Sequence, residues 1–259
     1  MLIAIDINNS YVRIGAFEND KLMFVTELVS DKKLSVDQYA VSILGCINLY
    51  CQNPVVDGAV ISSVVPELTG TIPKAIYKLF GVKALVVGPG VKTGLHIDIE
   101  NPTQLGANIA SCAVAAAEDM HLPCVVCEFG TATTLSVIDE NGRLTGVVIC
   151  PGIYTALNSL TEKTALLHDI SIEKPRNVIG KNTVHSMQSG FLYGFAAMID
   201  GVIDRIDEEL GAKTSIVSTG SKAEEISALC RHEIKTNPNL ILNGLKRIYK
   251  RNKNRNEKI

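Results

Sequence analysis

Residues 125–142 read Val-Val-Cys-Glu-Phe-Gly-Thr-Ala-Thr-Thr-Leu-Ser-Val-Ile-Asp-Glu-Asn-Gly. An apolar run ends in the carboxylate of Glu128, a turn of small residues follows, and a second apolar run ends at Asn141-Gly142. An Asn-Gly pair at the end of an apolar run is a strong signal for a tight β-hairpin. The pattern predicts an acid at a strand tip, beside a bend whose backbone N–H groups are not covered by large side chains. Such a bend can bind phosphate oxygens, and the acid can hold a cation that neutralises them.

The start of the chain repeats this design. Residues 3–10 form an apolar run that ends in Asp6 and a short polar turn, and a second apolar run follows. Aligned without gaps, Asp6 falls on Glu128, and residues 60–64 loosely resemble residues 216–220. The chain therefore reads as two copies of one unit, each with an acidic phosphate-binding hairpin that is expected to face the other.

Composition limits the class of protein. The chain has 259 residues, of which 46% are hydrophobic and 20% charged, as in a globular protein with ample core. A net charge of −2 argues against a dedicated nucleic-acid binder, and the basic tail from Lys246 is expected to be a solvated terminus. No apolar run approaches the roughly 18 residues of a membrane span. Asp6 interrupts the first apolar run too early for a signal peptide, so a cytoplasmic location is expected.

Cysteine usage points to reduced thiols. The chain has 7 cysteines, an odd number, at scattered positions. Cys124 and Cys127 have the spacing of a redox or zinc motif. They lie within an apolar strand, however, where residues three apart face opposite sides, and the chain has no second ligand pair. We therefore expect core thiols.

The order of helical and strand patterns predicts two mixed α/β domains around a cleft, residues 1–121 and 122–259, joined near Pro123. A capping box, Ser35 with Gln38, starts the first helix. Irregular structure is expected over 91–102, followed by a helix over 104–121 that Thr103 caps.

Short motifs along nearly the whole chain resemble those of the type III pantothenate kinases, members of the actin- and hexokinase-like ATPase superfamily. These motifs are Asp6-Ile7-Asn8-Asn9-Ser10, Glu100-Asn101-Pro102, Gly106-Ala107-Asn108, Glu128-Phe129-Gly130-Thr131-Ala132-Thr133-Thr134, Gly180-Lys181-Asn182-Thr183 and Asn237-Pro238-Asn239-Leu240. The resemblance implies an α/β fold of two tandem ribonuclease H-like (actin-like ATPase) domains, with mixed sheets around a central cleft. It implies ATP-dependent phosphorylation of pantothenate to 4'-phosphopantothenate, the first step of coenzyme A biosynthesis.

The resemblance also implies roles for individual residues. ATP would contact Asp6, Asn8, Asn9, Ser10, Gly130, Thr131, Ala132 and Thr133. Asp6 would lie near Mg²⁺, and Glu128 would hold a monovalent cation, K⁺ or NH₄⁺. Pantothenate would contact Ile99, Gly106, Ala107, Asn108, Ile109 and Thr183. Thr183 would reach the substrate of the neighbouring subunit, so a homodimer is implied.

Several of these positions depart from the family pattern. The family's general base is an Asp where this chain has Asn108, and the following Arg is replaced by Ile109. Ile99 replaces a Tyr, Asn8 replaces a Gly, and Glu128 replaces an Asp. A positioned general base contributes roughly 10²–10⁴ in rate, and loss of a buried charged partner costs about 2–5 kcal/mol. The changes therefore affect acceptor binding most, then chemistry, and nucleotide binding least.

Three functions remain open from the sequence. The first is a working pantothenate kinase that tolerates these changes. The second is a catalytically impaired paralogue that binds nucleotide as a regulatory or accessory protein, similar to the relatives named Bvg accessory factor. The third is a kinase for another small hydroxylated acceptor, with Ile99 and Ile109 lining a more apolar pocket.

Overall fold

The structure is a computed structural model that describes residues 1–256. The chain forms two compact units. The first unit comprises Met1–Leu95, Glu100–Ala115 and the segment from Leu240 onward, and the second comprises His96–Ile99 and Ala116–Asn239. The sequence prediction assigned residues 240–259 to the second domain, whereas the described part of this segment packs on strands of the first unit.

The elements of the first unit follow one another in chain order. They are β1 (Leu2–Ile7), β2 (Tyr11–Glu18), β3 (Lys21–Val29), α1 (Val36–Asn48), β4 (Gly58–Ser63), α2 (Pro66–Phe80), β5 (Ala84–Val86), a 3₁₀ turn (Pro102–Gln104), α3 (Ala107–Asp119) and α7 (Leu240–Asn256). The last residues of α3 are grouped with the second unit. The end of the predicted basic tail, residues 257–259, lies outside the described residues.

The second unit contains the remaining elements. They are β6 (His96–Ile97), β7 (Cys124–Phe129), β8 (Ala132–Ile138), β9 (Arg143–Pro151), α4 (Ile153–Lys163), α5 (Thr183–Leu210), β10 (Ser215–Gly220), α6 (Ala223–Ser227) and β11 (Ile234–Thr236). Each unit has its own apolar core, built on one sheet and the helices that cover it.

The two sheets share one strand order. The first runs β3-β2-β1-β4-β5, and the second runs β9-β8-β7-β10-β11 with β6 added outside β9. The strands that carry the acids near their ends are β1 and β7. Each pairs antiparallel with the next strand of its hairpin, β2 or β8, and parallel with the strand on its other side, β4 or β10. The α/β prediction with two mixed sheets is confirmed, and the shared order agrees with an internal duplication.

Strand register corrects one detail of the internal alignment. Ser62 pairs with Asp6, and Thr219 pairs with Glu128. Ser62 therefore corresponds to Thr219, whereas the sequence comparison had matched it to Ser218. The error is one residue, because both strands are short apolar runs that align about equally well in either register.

Local signals fixed most helix boundaries. Ser35 and Gln38 form the predicted capping box of α1, and α2 begins at Pro66 as expected. The predicted cap at Thr103 is wrong. The Oδ1 atom of Asn101 accepts the backbone N–H of Thr103 at 3.3 Å and its hydroxyl at 2.6 Å. This closes a separate 3₁₀ turn, so α3 begins only at Ala107.

Helix α7 is tightly seated on β1, β2 and β4. A Cβ atom at Gly15 would lie 2.8 Å from Leu242, and one at Gly58 would overlap the Tyr249 hydroxyl. At Gly244 a Cβ would lie 2.6 Å from the carbonyl carbon of Ser111 in α3. Helix α7 thus holds the first turns of α3, which carry the predicted acceptor residues.

Candidate functional site

Asp6 lies near the end of β1 and is 2% exposed. The Nδ2 atom of Asn8 donates a hydrogen bond of 2.6 Å to Asp6 Oδ2. The backbone N–H of Asn8 donates to the carbonyl of Tyr11 at 2.9 Å and closes the hairpin turn. Asn8 does not adopt positive φ. Its Cβ therefore adds no left-handed strain where the family has glycine.

The neighbours of Asp6 across the sheet complete a polar row. Arg13 on β2 and Ser62 on β4 pair directly with it. Residues directly opposite in a ladder present their side chains on the same face of the sheet. The Ser62 hydroxyl is buried and has no hydrogen-bond partner among the side chains and backbone that the structure describes. A buried hydroxyl beside a buried carboxylate suits a site for a cation or its water ligands.

Glu128 has the equivalent place in the second unit. It lies near the end of β7, with Thr134 of β8 and Thr219 of β10 directly opposite. Thr133 and Thr134 are buried, and in the described chain neither hydroxyl has a hydrogen-bond partner. Thr134 shares the face of the sheet with Glu128, whereas Thr133 lies on the other face. The Glu128 carboxylate and the Thr134 hydroxyl supply oxygen donors of the kind that hard cations prefer.

The turn between β7 and β8 is held by backbone contacts. The Thr131 carbonyl accepts the N–H of Gly152 at 2.9 Å and the hydroxyl of Thr155 at 2.7 Å. A Cβ at Gly152 would overlap the Gly130 carbonyl oxygen and lie 2.6 Å from that of Thr131. Gly220 (φ +95°) packs equally closely against Phe129. The two hydrogen bonds to the Thr131 carbonyl and the close packing of Gly152 and Gly220 thus hold the bend against α4 and the end of β10.

The predicted acceptor residues Gly106 to Ile109 span the start of α3. Asn108 lies in its first turn, and its Oδ1 would come within 2.5 Å of a Cβ at position 106. Only glycine leaves room there for this side-chain position. Ile109 is 9% exposed and therefore packs as a core side chain.

Ile99 follows β6, a short strand that replaces part of the irregular segment expected from the sequence. β6 pairs in parallel with β9, and the Asp98 N–H donates to the Leu144 carbonyl at 2.8 Å. Arg143 adds an ion pair to Asp98 at 3.4 Å. The half-buried Ile99 is thus fixed to the edge of the second sheet.

Thr183 is the first residue of α5 and is exposed. The preceding Asn182 caps the helix through the N–H of His185 at 2.8 Å. The loop before it is tied to the helix, since Gln188 Nε2 donates to the Ser171 carbonyl at 2.9 Å and the Ser189 hydroxyl donates to the Val178 carbonyl. Thr183 is therefore held in a defined position at the surface.

An apolar groove of about 870 Å³ runs along the same helix. Its floor includes Gly190 and Gly194, and a Cβ at either glycine would meet open space. Met187, Phe191 and Thr183 also line it. A groove of this kind, with small residues between apolar ones, can accept another helix closely.

The two cysteines with motif spacing are core thiols. Both are fully buried, and burial raises the pKa of the Cys124 thiol to about 12 and that of Cys127 further. Thiols of this kind stay protonated and unreactive. In the part of the chain that the structure describes, no three His, Cys, Asp or Glu side chains form a metal-binding group.

The structure gathers the predicted nucleotide residues into two hairpins and the acceptor residues Gly106 to Ile109 into one helix start. Sequence reasoning missed Ser62 and Thr219 as partners of the two acids, because only strand register pairs them.

No helix within residues 1–256 combines the length and apolar character needed to cross a membrane.

Comparison with known proteins gives a consistent result. The profile described as type III pantothenate kinase matches residues 2–205. The type III pantothenate kinase of Brevibacillus brevis is 38% identical over 257 residues, covering 97% of this chain and 99% of the relative.

Two solved structures share the fold. A Campylobacter jejuni protein assigned to the Baf family of transcriptional activators has a TM-score of 0.60 at 19% identity, covering 97% of this chain and 99% of its own. The activator of 2-hydroxyisocaproyl-CoA dehydratase from Clostridium difficile, with bound ADPNP, has a TM-score of 0.54 at 9% identity. The match covers 100% of this chain and 97% of the activator chain. Both similarities concern the fold alone.

Proposed function

Because the chain belongs to the type III pantothenate kinase family, we propose that it transfers the γ-phosphoryl group of ATP to the hydroxyl of pantothenate. Full-length similarity to a relative of that name carries the proposal, and it favours this function over the accessory-protein and alternative-acceptor hypotheses. The reaction is assigned to the cytoplasm as part of the same proposal, since ATP is the phosphoryl donor.

The nucleotide half of the proposal rests on the two acidic hairpins. Asp6 would hold Mg²⁺, together with water ordered by the buried Ser62 hydroxyl. The bend at Gly130–Thr133 would bind phosphate oxygens through backbone N–H groups other than that of Gly130, which donates to the Ala132 carbonyl at 3.0 Å, and Asn9 and Ser10 would be further donors. When bound, Mg²⁺ supplies the charge neutralisation on which phosphoryl transfer mainly depends.

Glu128 is our proposed ligand for the monovalent cation. Support comes from the buried Thr134 hydroxyl opposite it, which has no protein partner in the described chain. Glutamate is one methylene longer than the family's aspartate, so a cation held here would lie farther from the strand.

The predicted pantothenate-binding part of the site has no carboxylate at position 108, where the family has its general base. Asn108 can accept a hydrogen bond from the substrate hydroxyl through Oδ1 and so orient it, although it cannot remove the proton at neutral pH. Phosphoryl transfer has a loose transition state in which proton removal contributes less than positioning and charge neutralisation. The chain can therefore be active with an amide at this position.

The proposal is tested by measuring ADP release with Mg²⁺ and K⁺, with and without pantothenate. We expect release to depend on pantothenate and to be small with other hydroxylated metabolites. Equal release in the presence and absence of pantothenate, or a preference for a different acceptor, would contradict it.

Restoring the family's base is expected to raise the rate. Asn108→Asp should increase kcat by about tenfold, less than the roughly 10²–10⁴ that a positioned general base contributes, because the site is adapted to the amide. The KM for ATP should change little, because residue 108 belongs to the predicted pantothenate-binding residues and not to the nucleotide-binding hairpins. Gln104→Glu, which adds a carboxylate just before α3, is the control. An unchanged kcat in Asn108→Asp would show that proton removal does not limit the reaction.

We propose a homodimer in which the α5 groove of one subunit receives the same helix of a second copy. The open space at Gly190 and Gly194, the apolar lining and the exposed Thr183 in the same groove support this. With this arrangement, Thr183 would contribute to the substrate site of the neighbouring subunit.

Gly190→Leu is therefore expected to convert dimer to monomer, measured by light scattering after size exclusion, and to raise the KM for pantothenate at least tenfold. Leucine is the better helix former by about 1 kcal/mol, so loss of the dimer would not reflect unfolding. Gly45→Leu on the exposed face of α1, where a Cβ also meets open space, is the matched control. A wild-type protein that runs as a monomer would refute the dimer.

A further inference from the structure

The side chain of Asn8 is directed at the carboxylate of Asp6. Its Nδ2 atom donates to Asp6 Oδ2 at 2.6 Å, a short hydrogen bond of the charge-assisted kind. The two residues are two apart along the chain, a spacing at which side chains lie on the same face of a strand. Asn8 lies one residue beyond β1, in the hairpin turn, so this hydrogen bond ties the turn to the end of the strand.

We infer that Asn8 is a positioning residue, which fixes the Asp6 carboxylate for the divalent cation of the bound nucleotide. The inference rests on the proposed function, in which Asp6 holds that cation. Asn8 would act through Asp6, and it would not bind the phosphates through its own side chain.

Three observations support this role. The backbone N–H of Asn8 is bonded to the Tyr11 carbonyl at 2.9 Å, so the residue itself is anchored in the turn. The Asn8 side-chain amide donates to one oxygen of the Asp6 carboxylate and so restricts rotation of that carboxylate about its Cβ–Cγ bond. Asp6 is 2% exposed, so water competes weakly with the amide.

On the β4 side the surroundings of Asp6 fit a cation that this carboxylate would hold, whereas on the β2 side Arg13 lies opposite Asp6 and forms an ion pair with Glu27 at 3.1 Å. The Ser62 hydroxyl lies directly across the ladder, is fully buried, and has no hydrogen-bond partner within residues 1–256. The family's glycine has no side chain that could restrain the acid. In this chain the acid would be pre-oriented before nucleotide binds, at the cost of the close backbone approach that glycine allows.

Isothermal titration of MgADP into the wild type, Asn8→Ala, Asp6→Asn and the double variant tests the inference. Loss of a group that orients a metal ligand commonly weakens metal binding by roughly 10–100-fold, and we expect about tenfold for Asn8→Ala. In the double variant the loss should equal that of Asp6→Asn alone, because Asn8 acts through Asp6. Titration of ADP in EDTA should give the same affinity for Asn8→Ala and wild type.

The titrations distinguish a failure of the inference about Asn8 from a failure of the proposed function. If Asp6→Asn weakens MgADP binding and Asn8→Ala does not, the inference fails and the proposed function stands. Losses that add in the double variant, or an equal loss without metal, would show a direct phosphate or structural role for Asn8 and overturn the inference. An unchanged affinity in Asp6→Asn would overturn both. Asn8→Gly, the family's residue, provides a second variant should Asn8→Ala fold poorly.

Discussion

Asp6→Asn is expected to lower kcat/KM for MgATP by about 10²–10³-fold, the loss typical when one group that supports charge stabilisation in the transition state is removed. Asparagine has nearly the same shape but no charge to balance the cation. The effect should be large because the side chain is 2% exposed and its charge acts in a region of low dielectric constant. Steady-state kinetics at several Mg²⁺ concentrations measure it.

Asp37→Asn is the matched control for this substitution. Asp37 is an exposed carboxylate in the first turn of α1 that pairs with Lys78 at the surface. Exposed pairs of this kind contribute about 0–1 kcal/mol to stability, so activity should stay near that of the wild type. A kcat/KM for Asp6→Asn within threefold of wild type would mean that Asp6 does not serve the nucleotide.

Gly152→Ala is expected to weaken ADP binding more than tenfold and to destabilise the protein by about 3 kcal/mol, at the upper end for inserting atoms into a packed site. The added Cβ would overlap the Gly130 carbonyl oxygen and lie 2.6 Å from that of Thr131. Both are backbone atoms, so the clash can be relieved only if the phosphate-binding turn moves. Thermal unfolding and ADP titration measure the two effects.

Gly146→Ala provides the comparison, because Gly146 lies on β9 in the same sheet and its Cβ would meet open space. It should leave both the unfolding temperature and the ADP affinity close to those of the wild type. If Gly152→Ala behaved like Gly146→Ala, the turn at Gly130 would not need the conformation described here.

Local chemistry explains which elements the sequence could predict. Both hairpins follow from an acid at the end of an apolar run and a turn of small or polar residues. The first turn of α1 follows from its capping box, and α2 from Pro66 at its start. In these segments the local preference and the tertiary environment agree.

The elements that were missed depend on distant partners. β6 has only two residues, and its pairing with β9 defines it. β11, with three residues, likewise exists through its parallel pairing with β10. Such short edge strands have too few residues to show a periodic pattern.

The residues of the candidate site also divide into those that local sequence predicts and those that depend on distant partners. The two acids were visible as breaks in apolar runs, whereas the hydroxyls opposite them, Ser62 and Thr219, depend on register between strands far apart in the chain. The hydrogen bond from Asn8 to Asp6 needed side-chain positions. Ile109 stood out as a replacement for arginine, but its burial was not evident from the sequence.

We expect this chain to transfer the γ-phosphoryl group of ATP to pantothenate although Asn108 replaces the usual base. The most direct test is a single-turnover reaction in which γ-labelled ATP, Mg²⁺, K⁺ and pantothenate are mixed with excess enzyme. The label should move to pantothenate. Label found only in inorganic phosphate, or retained in ATP by a protein that still binds nucleotide, would contradict it.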